Sequence, residues 1–419
     1  MKIALVNYRY FVSGGPERYM FNIKEVLEQH GHIVAPFSIK HNKNVKSEYS
    51  SYFLDAIGTG DEVYNHEYPA DLKTKTQVVG RMLYSFEAKK KFRQFLKEVK
   101  PDIVYILHFQ NKLSCSIIDA AKEMNIPVVQ RISDFGHLCP NAHLFRAKVG
   151  ICESCTTKNL FQAVQHKCIS DSYAHSALKA ISLAIMNVNR VKDKVDAFVF
   201  PSSFTMYKYV ESGFDGKKTY HIPTFFNADQ LLQSQEITYG NYAVYVGRIE
   251  KEKGVETLIN AFLKTDHKLI IIGFSNDSYA SELKNKVIGK EHQIIFLGKL
   301  DFSEIAKYLQ SCLFTVVPSE WYENFPNTVL ESFAFKKAVL ATNIGSLPEI
   351  VNESNGFCFD YASSNSLKDK INYMFANPAE AQIKGENGYK KLYTDYSAEN
   401  HYDKLISMFN RLTVHKTLA

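Results

Sequence analysis

Four side chains in the second half of the chain have the types and spacing to do chemistry: Arg248, Lys253, Glu323 and Glu331. Both glutamates fall in one stretch, Trp321-Tyr322-Glu323-Asn324-Phe325-Pro326-Asn327-Thr328-Val329-Leu330-Glu331. A short apolar run at 313–317 precedes it and reads as a buried strand stopped by Pro318-Ser319. Residues 328–336 read as a helix, with Pro326 near its first position, where a missing N–H costs little. A strand feeding a tight turn and a helix start leaves backbone N–H groups aimed at one spot. Such a spot attracts an anion, above all a phosphate. Carboxylates repel phosphate, so Glu323 and Glu331 suit hydroxyl groups, those of a ribose or of a sugar ring. The stretch therefore suggests a nucleoside diphosphate carrying a sugar. Taken alone, its spacing also fits a helix with one capping and one solvated glutamate.

Arg248 and Lys253 supply the cations that this stretch lacks. They lie in Gly247-Arg248-Ile249-Glu250-Lys251-Glu252-Lys253-Gly254, a loop that follows the strand 243–246. An arginine holds phosphate oxygens bidentately and a lysine acts on the same group as a point charge. A departing nucleoside diphosphate gains negative charge, so fixed cations there lower the barrier. Many sugar transferases use instead a divalent metal held by Asp-x-Asp, a pattern this sequence does not contain. The bland reading is a solvated loop of mixed charge.

The elements that must position these groups follow from periodicity. At 419 residues the chain is too long for one core, so two domains are expected, 1–223 and 224–397, with a last amphipathic helix at about 398–415 packing back on the first. In the first, strands at 2–6, 33–38, 103–107, 128–132 and 197–201 alternate with helices at 17–30, 89–99 and 117–125. In the second, strands at 243–246, 269–272, 294–297, 313–317 and 338–342 alternate with helices in the same way. Such alternation means α/β domains with parallel sheets, whose ligands bind at the C-terminal ends of the strands. Ser13-Gly14-Gly15-Pro16, between the first strand and helix, is a second place where backbone can approach a phosphate closely. Residues 42–80 show no clear period. A composition of 45% hydrophobic and 22% charged residues is that of a soluble globular chain. The start is too briefly apolar for a signal peptide and no run approaches ~18 apolar residues, so a cytoplasmic protein is expected. The net charge of +6 favours anionic partners, and no nucleic-acid partner is expected.

The run from Gly247 to Gly254, the Glu-x7-Glu at Glu323 and Glu331, the Gly-x-x-Pro-Glu at Gly345 to Glu349 and Ser13-Gly14-Gly15-Pro16-Glu17 together resemble glycosyltransferase family 4. The resemblance covers nearly the whole chain. It implies the GT-B fold, two Rossmann-like domains facing across a cleft, the second holding a nucleotide-sugar donor such as a UDP- or GDP-sugar. It implies transfer with retention of anomeric configuration and without a catalytic metal, as in bacterial surface-polysaccharide enzymes with a carbohydrate or lipid-linked acceptor. Carried over, Arg248 and Lys253 hold the diphosphate, Glu331 the ribose and Glu323 the donor sugar's hydroxyls. The backbone at Asn324, Phe325, Pro326, Asn327 and Thr328 borders sugar and phosphate, backbone around Gly273 and Gly298 borders the base, and Gly14 and Gly15 close over the donor.

Two departures from the family stand out. Its His-x-His after the third strand is replaced by Tyr105 and Leu107, with His108 one residue further on as the candidate sugar-facing histidine or a mere strand-end residue. The family's His before Asp is Ser133 here, while Asp134 stays available to an acceptor. Cys139, Cys152, Cys155 and Cys168 share one loop, the outer two each twelve residues from the central Cys-x2-Cys. That spacing matches a structural zinc site made of four thiolates. Buried cysteines acting as small hydrophobes are the alternative, and His143 or His166 could replace one ligand. From Lys73 to Lys100, basic residues are interleaved with Met82, Leu83, Tyr84 and Phe86, a pattern suited to an anionic membrane face. Two other classes stay in view: a glycoside hydrolase using the two glutamates, which leaves Arg248 and Lys253 idle, and a non-catalytic nucleotide-sugar sensor or partner subunit.

Overall fold

The computed structural model describes residues 1–62, 67–69, 71–226, 237–275 and 278–414. The joint between the two expected domains at 227–236, residue 415 of the expected last helix, and 63–66 and 70 of the irregular region lie outside the described residues.

The chain alternates strands and helices through two parallel sheets. In the first half, β1 (Lys2–Asn7), β2 (Ile33–Phe37), β3 (Ile103–His108) and β4 (Val128–Arg131) come first. A small hairpin of β5 (Phe145–Arg146) and β6 (Gly150–Ile151) follows, then β7 (Ala197–Phe200) and β8 (Thr219–His221). Their sheet order is β2-β1-β3-β4-β7-β8. Pro36 sits in β2 at the sheet's edge, where one side of the strand needs no ladder bond. The second half contains β9 (Tyr242–Val246), β10 (Lys268–Ile272), β11 (Ile294–Gly298), β12 (Phe314–Val317), β13 (Ala338–Thr342) and β14 (Gly356–Phe359), in the order β11-β10-β9-β12-β13-β14. Both sheets reverse strand order beside their first strand, and a crevice opens there at the strands' C-terminal ends.

Both faces of each sheet are covered, so the strands are apolar throughout rather than alternating. On the first sheet Ala4 and Val6 pack with Phe92, Phe95 and Leu96 of the Phe86–Val99 helix. Ile3 and Leu5 pack on the other face with Met20, Ile23 and Leu27 of the Gly15–Gln29 helix. The chain's final helix, Ala398–Val414, completes that face through Leu405, Met408 and Phe409. It returns from the second sheet to cover the first because its apolar stripe finds its cover only there.

Four contacts draw the halves together along the crevice. The N–H groups of Ser203 and Phe204, at the start of the Ser203–Glu211 helix, donate to the Glu349 carboxylate. A carboxylate at a helix start answers both the unpaired donors and the helix dipole. Tyr322 Oη donates to Glu153 at 2.9 Å, and Asn324 Nδ2 donates to the Ile132 carbonyl at 3.0 Å. Arg18 lies 3.3 Å from Glu331.

Within the second half, two loops are fixed against each other. Gly254 has a φ of +65°, and a Cβ built there would stand 1.8 Å from the Pro318 carbonyl oxygen. The Glu320 N–H donates to the Glu252 carbonyl at 2.8 Å in the same seam. Gly254→Ala therefore combines a left-handed backbone with a backbone clash and is expected to cost about 2–4 kcal/mol. Gly289, with a φ of +82° and open space around it, provides the control. Gly289→Ala should cost about 1 kcal/mol, the strain alone. Thermal unfolding of both variants tests this, and equal losses would remove the close approach as a constraint.

Candidate active site

The loop between β12 and the Asn327–Ala334 helix enters the crevice, carrying Trp321 to Pro326. Pro326 is the helix N-cap, one position earlier than its sequence reading, with φ −77° and ψ 114°. It has no side chain to cap the helix, so the first N–H groups stay directed at the crevice. Gly15 of the first half faces this helix start: a Cβ there would meet Asn327 Nδ2 at 3.1 Å. Gly14 is extended, at φ −173°, and a Cβ on it meets only ordinary contacts. The close approach thus rests on Gly15. A cavity of about 170 Å³ opens here, bordered by Gly15, Arg131, Asp134, Trp321, Glu323 and Asn327 among others.

Lys253 and Glu323 form the central pair. Lys253 Nζ stands 2.7 Å from Glu323 Oε1, and Ser319 Oγ donates to the same oxygen at 2.6 Å. The ammonium lies 4.7 Å from the Trp321 ring centre, a cation–π distance. Burial alone would push the Glu323 carboxyl up. Lys253 and the hydrogen bonds of Ser319 and Trp321 outweigh it, and the pKa falls below the usual carboxylate value. Glu323 is held ionised.

Glu331 behaves differently. Burial raises its pKa, and the Arg18 guanidinium, half exposed and 3.3 Å away, offsets only part of that rise. Of the other sequence candidates, Arg248 is 47% exposed and turned onto Glu250, with Nη1 2.6 Å from Oε2. Glu250 itself is pushed up to about 7 by burial and by its neighbour Glu252. Phe325 and Asn324 border the cavity, whereas Pro326 and Thr328 shape the helix start behind it. Gly298 ends β11 at a φ of +75°, its carbonyl accepting from the Gly273 N–H at 2.8 Å, away from the cavity's border. His108 lies beside Asp134, Nε2 to Oδ2 3.8 Å, in a second cavity rather than in the central one.

Sequence reasoning missed three residues at the site. Arg131, at the end of β4, is buried over the Tyr19 ring at 3.9 Å, with its guanidinium donating to Ser133 and Thr224. Tyr19 bonds in turn to Tyr105 and to His401 of the last helix, at 2.8 and 2.9 Å. Arg18 is one position along the same first helix. A cation ending a buried strand on the crevice side was the available signal for Arg131; nothing local marks Arg18.

The four cysteines of the loop meet in the fold: Cys139 and Cys155 share a hydrogen bond, and Cys152 and Cys168 stand close enough to raise the Cys155 thiol further. All four are free thiols, and among the described residues no group of three or more His, Cys, Asp or Glu side chains is arranged to hold a metal ion. Cys139 Sγ also donates to Asn141 at 2.9 Å, and Cys152 Sγ lies 3.5 Å from Ser154 Oγ. Cys139 is held down at about 7, first by its hydrogen bond with Cys155 and then by surrounding N–H groups. The loop is braced by the β5–β6 hairpin and by the Cys152 N–H on the Leu144 carbonyl.

Comparison with known proteins fits this geometry. Residues 229–391 match the family described as "Glycosyl transferases group 1". The chain carries a glycosyltransferase group 1 domain. It is 23% identical over 363 residues to an uncharacterised 42.6 kDa protein in the cps region of Klebsiella pneumoniae, covering 84% of this chain and 87% of that protein. The capsular polysaccharide biosynthesis glycosyltransferase CapM of Staphylococcus aureus is 27% identical over 172 residues, 40% of this chain and 45% of its own length. The chain thus matches under half of CapM. Among solved structures, Anabaena HepE in complex with UDP-glucose superposes with a TM-score of 0.63 at 16% identity, covering 98% of this chain and 100% of that one. The architecture is GT-B, and the glycosyltransferase group 1 match lies within the second half of the chain.

The Glu331 environment generates a pH-dependent outcome. Its folded-state pKa lies above the ordinary carboxylate value, so stability is lost as pH rises through the window between the two. Glu331→Gln removes that loss while keeping the side chain's shape. The variant should be more stable than the wild-type glycosyltransferase by about 1 kcal/mol at neutral pH, and the gain should vanish below the ordinary glutamate pKa of about 4.3. Melting temperatures of both proteins across that range test this. A variant less stable at every pH would mean that Arg18 more than compensates the buried charge.

Proposed function

We propose that this protein is a retaining, metal-independent transferase. It moves a sugar from a nucleoside-diphosphate sugar to an acceptor hydroxyl in the synthesis of surface polysaccharide. The observation that carries this reading is the Lys253–Glu323 pair beside an uncapped helix start, facing Gly15 across a cleft. The helix N–H groups and Lys253 receive the diphosphate, and Arg248, exposed on Glu250, turns onto the same group. Glu323 accepts hydroxyls of the donor sugar and Glu331 those of the ribose, the donor domain being taken as 224–397.

Retention sets the geometry of the step. The bond from the sugar's anomeric carbon to the diphosphate oxygen breaks, and a bond from the acceptor oxygen forms on the same face. The acceptor's proton passes to the departing phosphate oxygen, where negative charge grows. Fixed cations and amides aimed at that oxygen gain strength as it leaves, which is what lowers a barrier. UDP-glucose in the HepE structure supports a UDP-sugar as donor, and the CapM and Klebsiella relatives support a capsular setting.

Nucleotide-sugar panels read out by thermal shift identify the donor, since a ligand of the native state raises the midpoint. With that donor, Lys253→Ala should lower kcat/KM by about 10²–10³, and Arg248→Ala should lower it too. Transfer should persist in EDTA. Activity that disappears with EDTA and returns only with added Mg²⁺ or Mn²⁺ would overturn the metal-free step, and an inverted product would overturn retention.

A membrane-facing acceptor side belongs to the same proposal. No helix among the described residues is long and apolar enough to cross a membrane. On the Phe86–Val99 helix, Lys90, Arg93 and Lys97 are exposed around Phe86, itself 77% exposed, whereas Met82 is buried and Tyr84 is bonded to Asp119. A cationic face around one exposed aromatic suits an anionic bilayer, at about 1 kcal/mol for each well-placed cation. Flotation with anionic vesicles should show salt-sensitive binding that Lys90→Glu with Lys97→Glu abolishes. Equal flotation of wild type and variant would sink this part.

A further inference from the structure

A second cavity of about 340 Å³ lies in the first domain, next to the proposed donor site. His108, Gln110 and Asn111 border it from the end of β3, and Asn141 from the cysteine loop. Its far wall is the Tyr173–Val188 helix, through Lys179. Asp134 and Ala142 border both this cavity and the central one, so the two spaces share a wall where transfer would occur. We propose that this cavity is the acceptor subsite and that it takes an anionic sugar, a uronate or a sugar phosphate, with Lys179 as its cation. This rests on the glycosyltransferase reading above and names the substrate class of its acceptor.

One charge in this cavity is left without a partner. Lys179 makes no hydrogen bond or ion pair with any described residue, in contrast to other cations of this region. Arg9 faces Glu17 at 3.8 Å, Arg81 faces Glu87 at 3.2 Å, and Lys112 donates to the Tyr68 hydroxyl. Burial pushes the Lys179 ammonium down to about 8, against the attraction of Asp134. Lys112 is pushed to about 8 as well, by burial and then by Arg9, Lys179 and Arg81, so these cations share one positive field. Asp134 does not neutralise it: Oδ1 accepts the Gly136 N–H at 2.7 Å and Oδ2 faces His108. Lys179 is partly buried, and a cation held out of water without a counter-charge carries a cost that an anionic ligand can offset. Around Lys179 the cavity is lined by the amides Gln110, Asn111 and Asn141 and the hydroxyls of Ser170 and Ser182, which bind hydroxyls without adding charge, and by His143. A ring of hydroxyls bearing one negative group fits that set; a neutral sugar leaves the ammonium unanswered.

The test compares three small probes on the full-length protein saturated with UDP, which fills the nucleotide and diphosphate positions, while the Lys179 variants separate binding in this cavity from binding at the donor sugar's position. Methyl glucoside is neutral, methyl glucuronide carries a carboxylate, and glucose 1-phosphate carries a phosphate. Titration at constant ionic strength should show at least one anionic probe binding about 10–100-fold tighter than the neutral one, the usual worth of a charged hydrogen bond. Lys179→Met should bring the probes within about twofold, Lys179→Arg should keep the preference, and UDP affinity should not change. Lys179→Gln replaces the Met variant if that one does not fold. Preference for glucose 1-phosphate assigns the charge to a phosphate, as on a lipid-linked acceptor, and preference for the glucuronide assigns it to a uronate. No anionic preference in wild type, no binding of any probe, or a preference that survives Lys179→Met would overturn the proposal. Failure of the wild type to bind UDP is a separate result that counts against the donor reading, and the probe comparison is then scored in the protein without nucleotide.

Discussion

The site depends on one ion pair, Lys253 with Glu323, and on the fact that it bridges two loops of the same domain. A buried pair of this kind offers little net stability, because desolvating both charges offsets most of their attraction. Its value is positional. One loop ends at Gly254, locked against Pro318, and the other begins at Pro318 and carries Ser319, Trp321 and Glu323. With the ammonium fixed between carboxylate and indole, the cleft holds a cation whose position is set before any ligand arrives. Preorganisation of that sort is what makes a fixed charge effective toward charge that develops later.

The same loop reaches into the other half of the molecule. Tyr322 packs on Phe135 and Phe204 while its hydroxyl meets Glu153, which is also paired with Lys208 at 3.0 Å. Asn324 ties the loop to the end of β4, next to Arg131 and Asp134. The Ala398–Val414 helix adds a third connection, and its His401, pushed down to about 3 by burial, bonds the Pro223 carbonyl and the Tyr19 hydroxyl beneath Arg131. The relative placement of this loop and the first-domain wall is therefore carried by a few polar contacts together with the aromatic packing of Tyr322. Such an interface can be remade when a ligand fills the gap, which suits a cleft that must admit and release substrates.

Much of this was legible in the sequence because parallel sheets write themselves as apolar runs separated by helical periods. Ten of the strands lie where such runs occur. The strands that escaped are short or without a run. β8 is a three-residue edge, β5 and β6 are two residues each, and β14 starts at a glycine. The Pro378–Asp395 helix was hidden by Gly385 and Gly388, which lower helix propensity. In the fold a Cβ at Gly388 would come within 2.4 Å of the Phe333 ring and one at Gly385 within 2.0 Å of the Lys336 carbonyl. Close packing overrode propensity. At the site, the residues local to a motif were readable, as with Lys253 and Glu323. Arg18, Arg131 and Lys179 were not, since their meaning comes from partners distant in the chain or from having none. The cysteine spacing marked residues that do meet, since Cys139, Cys152, Cys155 and Cys168 interact with one another across the loop.

Where unfavourable groups collect is itself informative. Glu331 is a carboxylate raised by burial, Arg131 a buried guanidinium bonded to hydroxyls rather than to a carboxylate, and Lys179 an ammonium with no partner among the described residues. All three border the cleft or the cavity beside it or stand on the helix that enters it, whereas Lys337 and Lys384, buried elsewhere, each donate to a backbone carbonyl. A core can remove such groups by substitution at no loss, and a hydrophobic replacement often gains stability. Each of the three carries a cost in the free protein that a bound molecule can offset. The signs specify that molecule in outline. Under the proposed function, the cations near the helix start answer a diphosphate, the carboxylates answer hydroxyls, and the lone lysine on the far side answers a second negative group, separated from the first by the width of the shared wall at Asp134.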